Sequence, residues 1–118
     1  MRALLTLSLV LLSFAPNAFA LDPMPTPVQL DRVETAKVCM VNNQIFAKDQ
    51  IPVEVEGKTY YGCCEMCKAT LKNDINARMA VDPISKRPVD KAEAVIGAAK
   101  DGSVFYFENE ENLAKFGN

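Results

Sequence analysis

Four cysteines carry whatever chemistry this chain has: Cys39 stands alone, and Cys63, Cys64 and Cys67 follow in one short run. There is no histidine, so metal or redox chemistry here must run on sulfur. Cys63 and Cys67 are four apart, a spacing that puts both thiols on one face where a helix begins. At a helix N-terminus the macrodipole and the free backbone N–H groups favour thiolate over thiol. Thiolate is the form that binds soft metals and attacks disulfides. If the chain between them folds back, Cys39, Cys63 and Cys67 make a trigonal or incomplete tetrahedral sulfur site. Such a site selects Cu(I), Zn(II) and heavier thiophilic ions over Mg or Ca. Cys64 offers a fourth sulfur, although neighbours in a helix diverge by roughly 100°. Met40 and Met66 are nearby thioethers whose commoner use is apolar packing.

The same sulfurs support two other uses. Cys64-Glu65-Met66-Cys67 is a Cys-x-x-Cys at a helix start, the arrangement of thiol–disulfide exchange catalysts, yet the βαβ alternation of a thioredoxin-like chain is missing. Two disulfides would instead staple a secreted domain; of the three pairings, one joins the neighbours Cys63 and Cys64 and is strained. Spacing ranks metal binding first, structural disulfides second and exchange catalysis third. Paired carboxylates, a Ser/His/Asp set and a phosphate loop are all missing from the sequence. The expectation is therefore a binding protein and not an enzyme. Glu108, Glu110 and Glu111 read as favourable charge placement at a second helix start.

The elements that must position the cysteines are short. Ile51, Val53 and Val55 alternate with Pro52, Glu54 and Glu56, the period of a half-buried strand. With Lys58–Tyr61 they predict a β-hairpin turning at Glu56-Gly57. Asn42-Asn43 is turn chemistry, which puts Cys39 at the entrance to a tight turn. Gly62 allows a sharp change of direction into a helix expected from about Cys64 to about Met79, with Leu71, Ile75 and Met79 inward. Leu30 to Lys37 reads as a turn or covering segment, and Asp82 to Val89 as a loop. A second hairpin is expected around Lys100-Asp101-Gly102, followed by a short helix with Asn109 as N-cap and Gly117 as stop.

The N-terminal stretch reads differently. Arg2 precedes an apolar run, Ala3 to Ala15, which Pro16 breaks ahead of the small-residue box Ala18-Phe19-Ala20. This is the form of a secretory signal peptide, and the run is too short to span a bilayer comfortably. The protein is expected to be exported, periplasmic or secreted, with no stable membrane span after cleavage. A formal net charge of −2 argues against nucleic acid or anionic lipid as the main partner. The expected partners are a metal ion and another exported metal-handling protein. The predicted organisation is signal peptide 1–20, Pro-rich linker 21–37, a Cys-bearing hairpin–helix unit 38–81 and a Cys-less hairpin–helix unit 82–118.

These two units look like versions of one pattern. Gly57, Tyr60, Tyr61, Cys63, Cys67 and Leu71 align without gaps on Gly102, Phe105, Tyr106, Glu108, Asn112 and Phe116. Cys39 falls opposite Ser85 on nearly equal spans. One unit is chemically equipped, and the other is expected to serve packing.

The run Cys-x23-Cys-x3-Cys, preceded by Gly-Lys-Thr-Tyr-Tyr, resembles the TRASH/YHS family of small metal-associated domains. The residues that carry the resemblance are Cys39, Tyr60-Tyr61, Cys63, Cys67 and Leu71. In the second unit they are Asp82-Pro83-Ile84-Ser85, Pro88-Val89, Phe105-Tyr106-Phe107 and Phe116. The resemblance spans about residues 38 to 117, with Cys64 an additional thiol. It implies an α+β, treble-clef-like fold built from two degenerate repeats. It also implies a role in heavy-metal sensing, trafficking or resistance, with one thiophilic ion, Cu(I) or Zn(II), on the cysteines.

Overall fold

The computed structural model describes residues 29–117. The expected signal peptide and residues 21–28 of the expected Pro-rich linker lie outside the described residues, whereas the rest of that linker, 29–37, carries a strand and a 3-10 turn. Within the described residues the chain forms an α+β fold of small antiparallel strand sets and three short helices.

Asp31–Val33 (β1) is followed by a 3-10 turn and by Val38–Cys39 (β2), which pairs with Gln44–Ile45 (β3). The knuckle between β2 and β3 carries Asn43 at φ 54°, the left-handed conformation that Asn tolerates better than most residues. Ile51–Val55 (β4) pairs with Lys58–Gly62 (β5) in the predicted hairpin, and both turn residues, Glu56 and Gly57, have positive φ. That is the turn whose twist matches the flanking strands. Val53 is buried while Pro52 and Glu54 are exposed, as the alternation requires.

The helix after β5 is shorter than expected. Glu65–Asn73 (α1) stops at Asp74, whose carboxylate accepts the Asn76 N–H at 2.9 Å and caps a new turn, Ile75–Arg78 (α2). An aspartate that bonds its own local backbone competes with helix propagation, and here it wins. Leu71 is fully buried, but Ile75 is 62% exposed and Met79 already belongs to a strand, so the inward stride ends at Leu71. The Arg78 guanidinium donates to the Leu71 carbonyl at 2.7 Å and thereby satisfies an open end of α1.

Two further elements differ from the sequence reading. Residues 82–87 are a loop, but Met79–Val81 (β6) and Pro88–Asp90 (β7) pair on either side of it. β1, expected as a covering segment, joins Val95–Ala98 (β8), which pairs in turn with Val104–Phe107 (β9). Three residues are too few for alternation to register, and the partner strand is distant in sequence. Glu110–Phe116 (α3) closes the chain, with Asn109 accepting the Asn112 N–H at 2.8 Å.

The described residues form two small cores. Met40, Val53, Tyr60 and Leu71 fill the first, between the β4–β5 hairpin and α1. Val38, Val89, Ala94, Ile96 and Tyr106 fill the second. Val38 and Met40 thus anchor in different cores, and Cys39 sits between them. All three are 0% exposed, so the Cys39 sulfur is fixed from both sides.

Candidate metal centre

Each sulfur reaches the centre for a separate local reason. Cys39 ends β2 at the knuckle, and the adjacent Met40 N–H donates to the Tyr61 carbonyl at 2.9 Å, tying the knuckle to β5. Cys63 follows the last residue of β5. Cys67 lies in the first turn of α1, brought close because Gly62 has no side chain. A Cβ built at Gly62 would stand 2.9 Å from Cys67 Cβ and 3.3 Å from its carbonyl carbon.

The Sγ atoms of Cys39, Cys63 and Cys67 all lie within 4.8 Å of one another, and Cys63 and Cys67 are 3.6 Å apart. An ion about 2.3 Å from each sulfur requires sulfurs about 3.8–4.0 Å apart, in tetrahedral or trigonal geometry. The Cys63–Cys67 pair, at 3.6 Å, is within a few tenths of an ångström of that spacing, and Cys39 lies within 4.8 Å of both, so a small inward shift closes the trio on an ion. Soft thiolates are also the donor set that thiophilic ions prefer. Cys64 lies outside the trio, yet its Sγ is 3.5 Å from that of Cys67. All four cysteines are free thiols. The thioethers divide: Met40 is buried core, whereas Met66, beside the cysteines, is 80% exposed and packs on nothing comparable.

The electrostatics place negative charge unevenly. Burial pushes the Cys39 thiol up, but N–H groups of Asn42, Val41 and Cys63 directed at it outweigh burial and leave it below its ordinary value. The Cys67 backbone N–H lowers Cys64. Cys63 is raised, first by its hydrogen bond with Cys39. Burial pushes Cys67 up to about 12, and its bonds with Cys64, Cys63 and Cys39 act in the same direction. In the metal-free protein Cys39 is the preferred thiolate of the trio, while Cys63 and Cys67 hold their protons.

A residue missed by the sequence reading completes the surroundings. Lys91, 5% exposed, donates to the Met40 carbonyl at 2.6 Å and to Asn43 Oδ1 at 3.2 Å, and lies 5.0 Å over the Tyr106 ring. Tyr106 donates to the same Asn43 oxygen at 2.8 Å. Burial lowers the Lys91 ammonium and the charge of Cys39 raises it. A cation from the second unit thus clamps the knuckle that carries the buried Cys39 sulfur. From sequence alone Asp90-Lys91 reads as a pair of solvated loop charges; the fold instead ends a strand at Asp90 and buries Lys91.

The second unit shows what replaces the sulfurs. Asp82 is fully buried; its Oδ1 accepts N–H groups of Ile84 (2.7 Å) and Ser85 (3.1 Å). Its Oδ2 accepts the Glu108 N–H (2.8 Å) and the Asn112 side-chain amide (2.9 Å). The N–H groups directed at Cys39 come from positions two and three further on and from Cys63, the counterpart of Glu108. Asp82, not Ser85, therefore stands where Cys39 does. The turns agree, since Lys86, four residues after Asp82, has φ 62° as Asn43 has φ 54°. Val38-Cys39-Met40-Val41 against Val81-Asp82-Pro83-Ile84 was the signal in the sequence. Matching Cys39 to Ser85 by nearly equal spans hid it, because the second unit is two residues longer between knuckle and helix.

No family model, curated protein or solved structure matches the chain. No helix among the described residues is long and apolar enough to cross a membrane.

Proposed function

We propose that this protein is an exported, non-enzymatic binder of one thiophilic ion, Cu(I) or Zn(II), held by Cys39, Cys63 and Cys67 for trafficking, sequestration or sensing. The observation that carries the reading is the convergence of three sulfurs within 4.8 Å, contributed by a knuckle, a strand end and a helix start. The N-terminal apolar run and small-residue box support export to the periplasm or beyond the cell. The TRASH/YHS-like pattern of cysteines and aromatics supports a metal-handling role.

The test is anaerobic purification from the native compartment, with metal analysis and thiol titration on one sample. About one thiophilic ion per chain is expected, lost on Cys39→Ser, Cys63→Ser or Cys67→Ser, each removing one of only three ligands. Metal-free protein without reactive thiols would sink the reading. The 3.5 Å separation of Cys64 and Cys67 sulfurs favours one alternative, an oxidised Cys64–Cys67 pair serving structure or exchange. That state would show as two thiols missing from the titration.

A further inference from the structure

The position of Cys64 in the fold is that of the α1 N-cap, where an oxygen-bearing side chain ordinarily satisfies a free N–H group. Its side chain caps nothing. In the second unit the matching residue is Asn109, whose side chain does accept the Asn112 N–H at 2.8 Å. The Cys-bearing unit therefore forgoes a cap and keeps an exposed thiol at that point. That thiol lies 3.5 Å from Cys67, outside the trio but touching one of its members.

Exposure is graded along the sulfurs. Cys64 and Cys63 are exposed, Cys67 is half-buried and Cys39 is buried. A sulfur at 0% exposure cannot meet a ligand on another molecule, so an ion destined for Cys39 must first be taken up by an outer thiol. Cys63, though exposed, belongs to the trio; Cys64 alone is free to give the ion up again. Met66, between Cys64 and Cys67 in sequence, is itself 80% exposed.

Resting on the metal reading of the trio, we propose that Cys64 is the transfer ligand, through which a thiophilic ion enters from, and leaves to, a thiol-bearing carrier. On arrival the ion's bond to a carrier sulfur breaks as its bond to Cys64 forms, and the Cys64 proton passes to the leaving carrier thiolate. Cys67 binds next, releasing its proton to solvent. The ion then exchanges Cys64 for Cys63 and Cys39, with Cys67 bound throughout; Cys39 binds as thiolate, and the proton that Cys63 gives up passes to Cys64. Only ligands change; no electron is transferred. Release is the same sequence reversed.

The test uses reduced full-length protein under anaerobic conditions, with the Cu(I)–glutathione complex as donor and a Cu(I) chelator as acceptor. Thiolate-to-metal absorbance is followed by stopped flow. Cys64→Asn supplies the cap that the second unit already uses, so the variant is expected to fold at least as well, with a midpoint raised by about 4 °C. It should bind one Cu(I) per chain with affinity within about threefold of the parent, because the trio is intact. Loading and unloading should both slow by about tenfold or more, because ligand exchange at sulfur depends on access. Cys64→Ser should behave in the same way without the gain in stability. Unchanged rates in both variants would overturn the transfer role, and so would loss of the bound ion, which would make Cys64 a resident ligand. A parent protein that takes up no Cu(I) at equilibrium would instead sink the metal reading beneath it, so the two failures are separable.

Discussion

Cys39, Cys63 and Cys67 surround a point in the first unit; in the second, Asp82, Glu108 and Asn112 occupy the corresponding places around a carboxylate. The frame is the same in both: a knuckle after a short strand, a hairpin, and the first turn of a helix. In the second unit the knuckle residue supplies its own negative charge and accepts four hydrogen bonds, so nothing further is needed at the centre. In the first unit the three positions carry sulfurs close enough together to hold an ion, which the chain does not itself provide. The frame common to both units makes side chains converge on one point. Metal affinity is decided by whether the converging groups satisfy one another.

The largest consequence is in pH. Binding an ion to the trio requires the protons of Cys63, raised above its ordinary value by its bond with Cys39, and of Cys67, pushed up to about 12 by burial and its neighbours. With at least these two protons displaced per ion, apparent affinity should fall by about 10⁴-fold or more on going from about pH 8 to about pH 6. Competition with a chelator at several pH values measures this, and a flat profile would mean that the thiols are not the ligands. The second unit should not respond in that range. Burial works against the Asp82 charge, but the N–H of Glu108, the Asn112 amide and the N–H groups of Ile84 and Ser85 hold its carboxyl below 3.8. A depressed folded value contributes stability that is full above the unfolded value, about 3.9, and lost only as pH falls through the folded one. Acid unfolding monitored by circular dichroism should therefore begin below about pH 4, long after the ion has left.

The hub itself gives the next effect. Asp82→Asn is isosteric, but its amide would face donors from Glu108 or Asn112, or from Ile84 and Ser85, whichever way it turns. Leaving buried donors opposed in this way is expected to cost about 3 kcal/mol in urea unfolding, with one ion still bound per chain. Loss of binding at unchanged stability would mean that the Asp82 hub, whose hydrogen bonds all stay within the second unit, nevertheless shapes the sulfur site.

Much of this contrast was legible in the residues. The cysteine spacing, the Glu56-Gly57 and Lys100-Asp101-Gly102 turns and the Asn109 cap are local signals, each carried by side-chain chemistry within a few residues. What escaped was set by competition or by distance. Asp74 ends α1 by bonding its own backbone, a choice that apolar periodicity through Ile75 does not reveal. β1 is defined only by pairing with β8 far along the chain. Asp82 was visible as part of a loop motif, but its role depends on donors from Glu108 and Asn112 that only the folded chain brings to it.

Steric room supplies a third and smaller test. Phe107 stands in the second unit where Gly62 stands in the first, so only α1 requires the close approach. Gly62→Ala should push Cys67 outward from contacts of 2.9 and 3.3 Å. Affinity is expected to fall about thirtyfold, or about 2 kcal/mol, within the usual cost of overpacking. The matching change, Phe107→Ala, should lower stability by about 3 kcal/mol and leave affinity alone, because it removes a buried aromatic packed against Phe116.

The smallest effect is the one that joins the two units. Lys91 belongs to the second but is buried against the first, and its partners are neutral: the Met40 carbonyl, Asn43 Oδ1 and the Tyr106 ring. A buried ammonium without a carboxylate is costly, and replacing such charges with apolar groups is often neutral for folding. Its electrostatic counterpart is the charge at Cys39, which becomes a permanent thiolate once an ion is bound. Three thiolates around Cu(I) or Zn(II) leave net negative charge, and a nearby cation stabilises it. Lys91→Met should therefore change unfolding stability by less than about 1 kcal/mol while weakening metal binding about fivefold. The deficit should persist at high salt because the pair is buried. A lysine that served only to hold the knuckle would give the opposite pattern, lower stability with unchanged affinity, and the second unit would then be a scaffold with no electrical connection to the sulfurs.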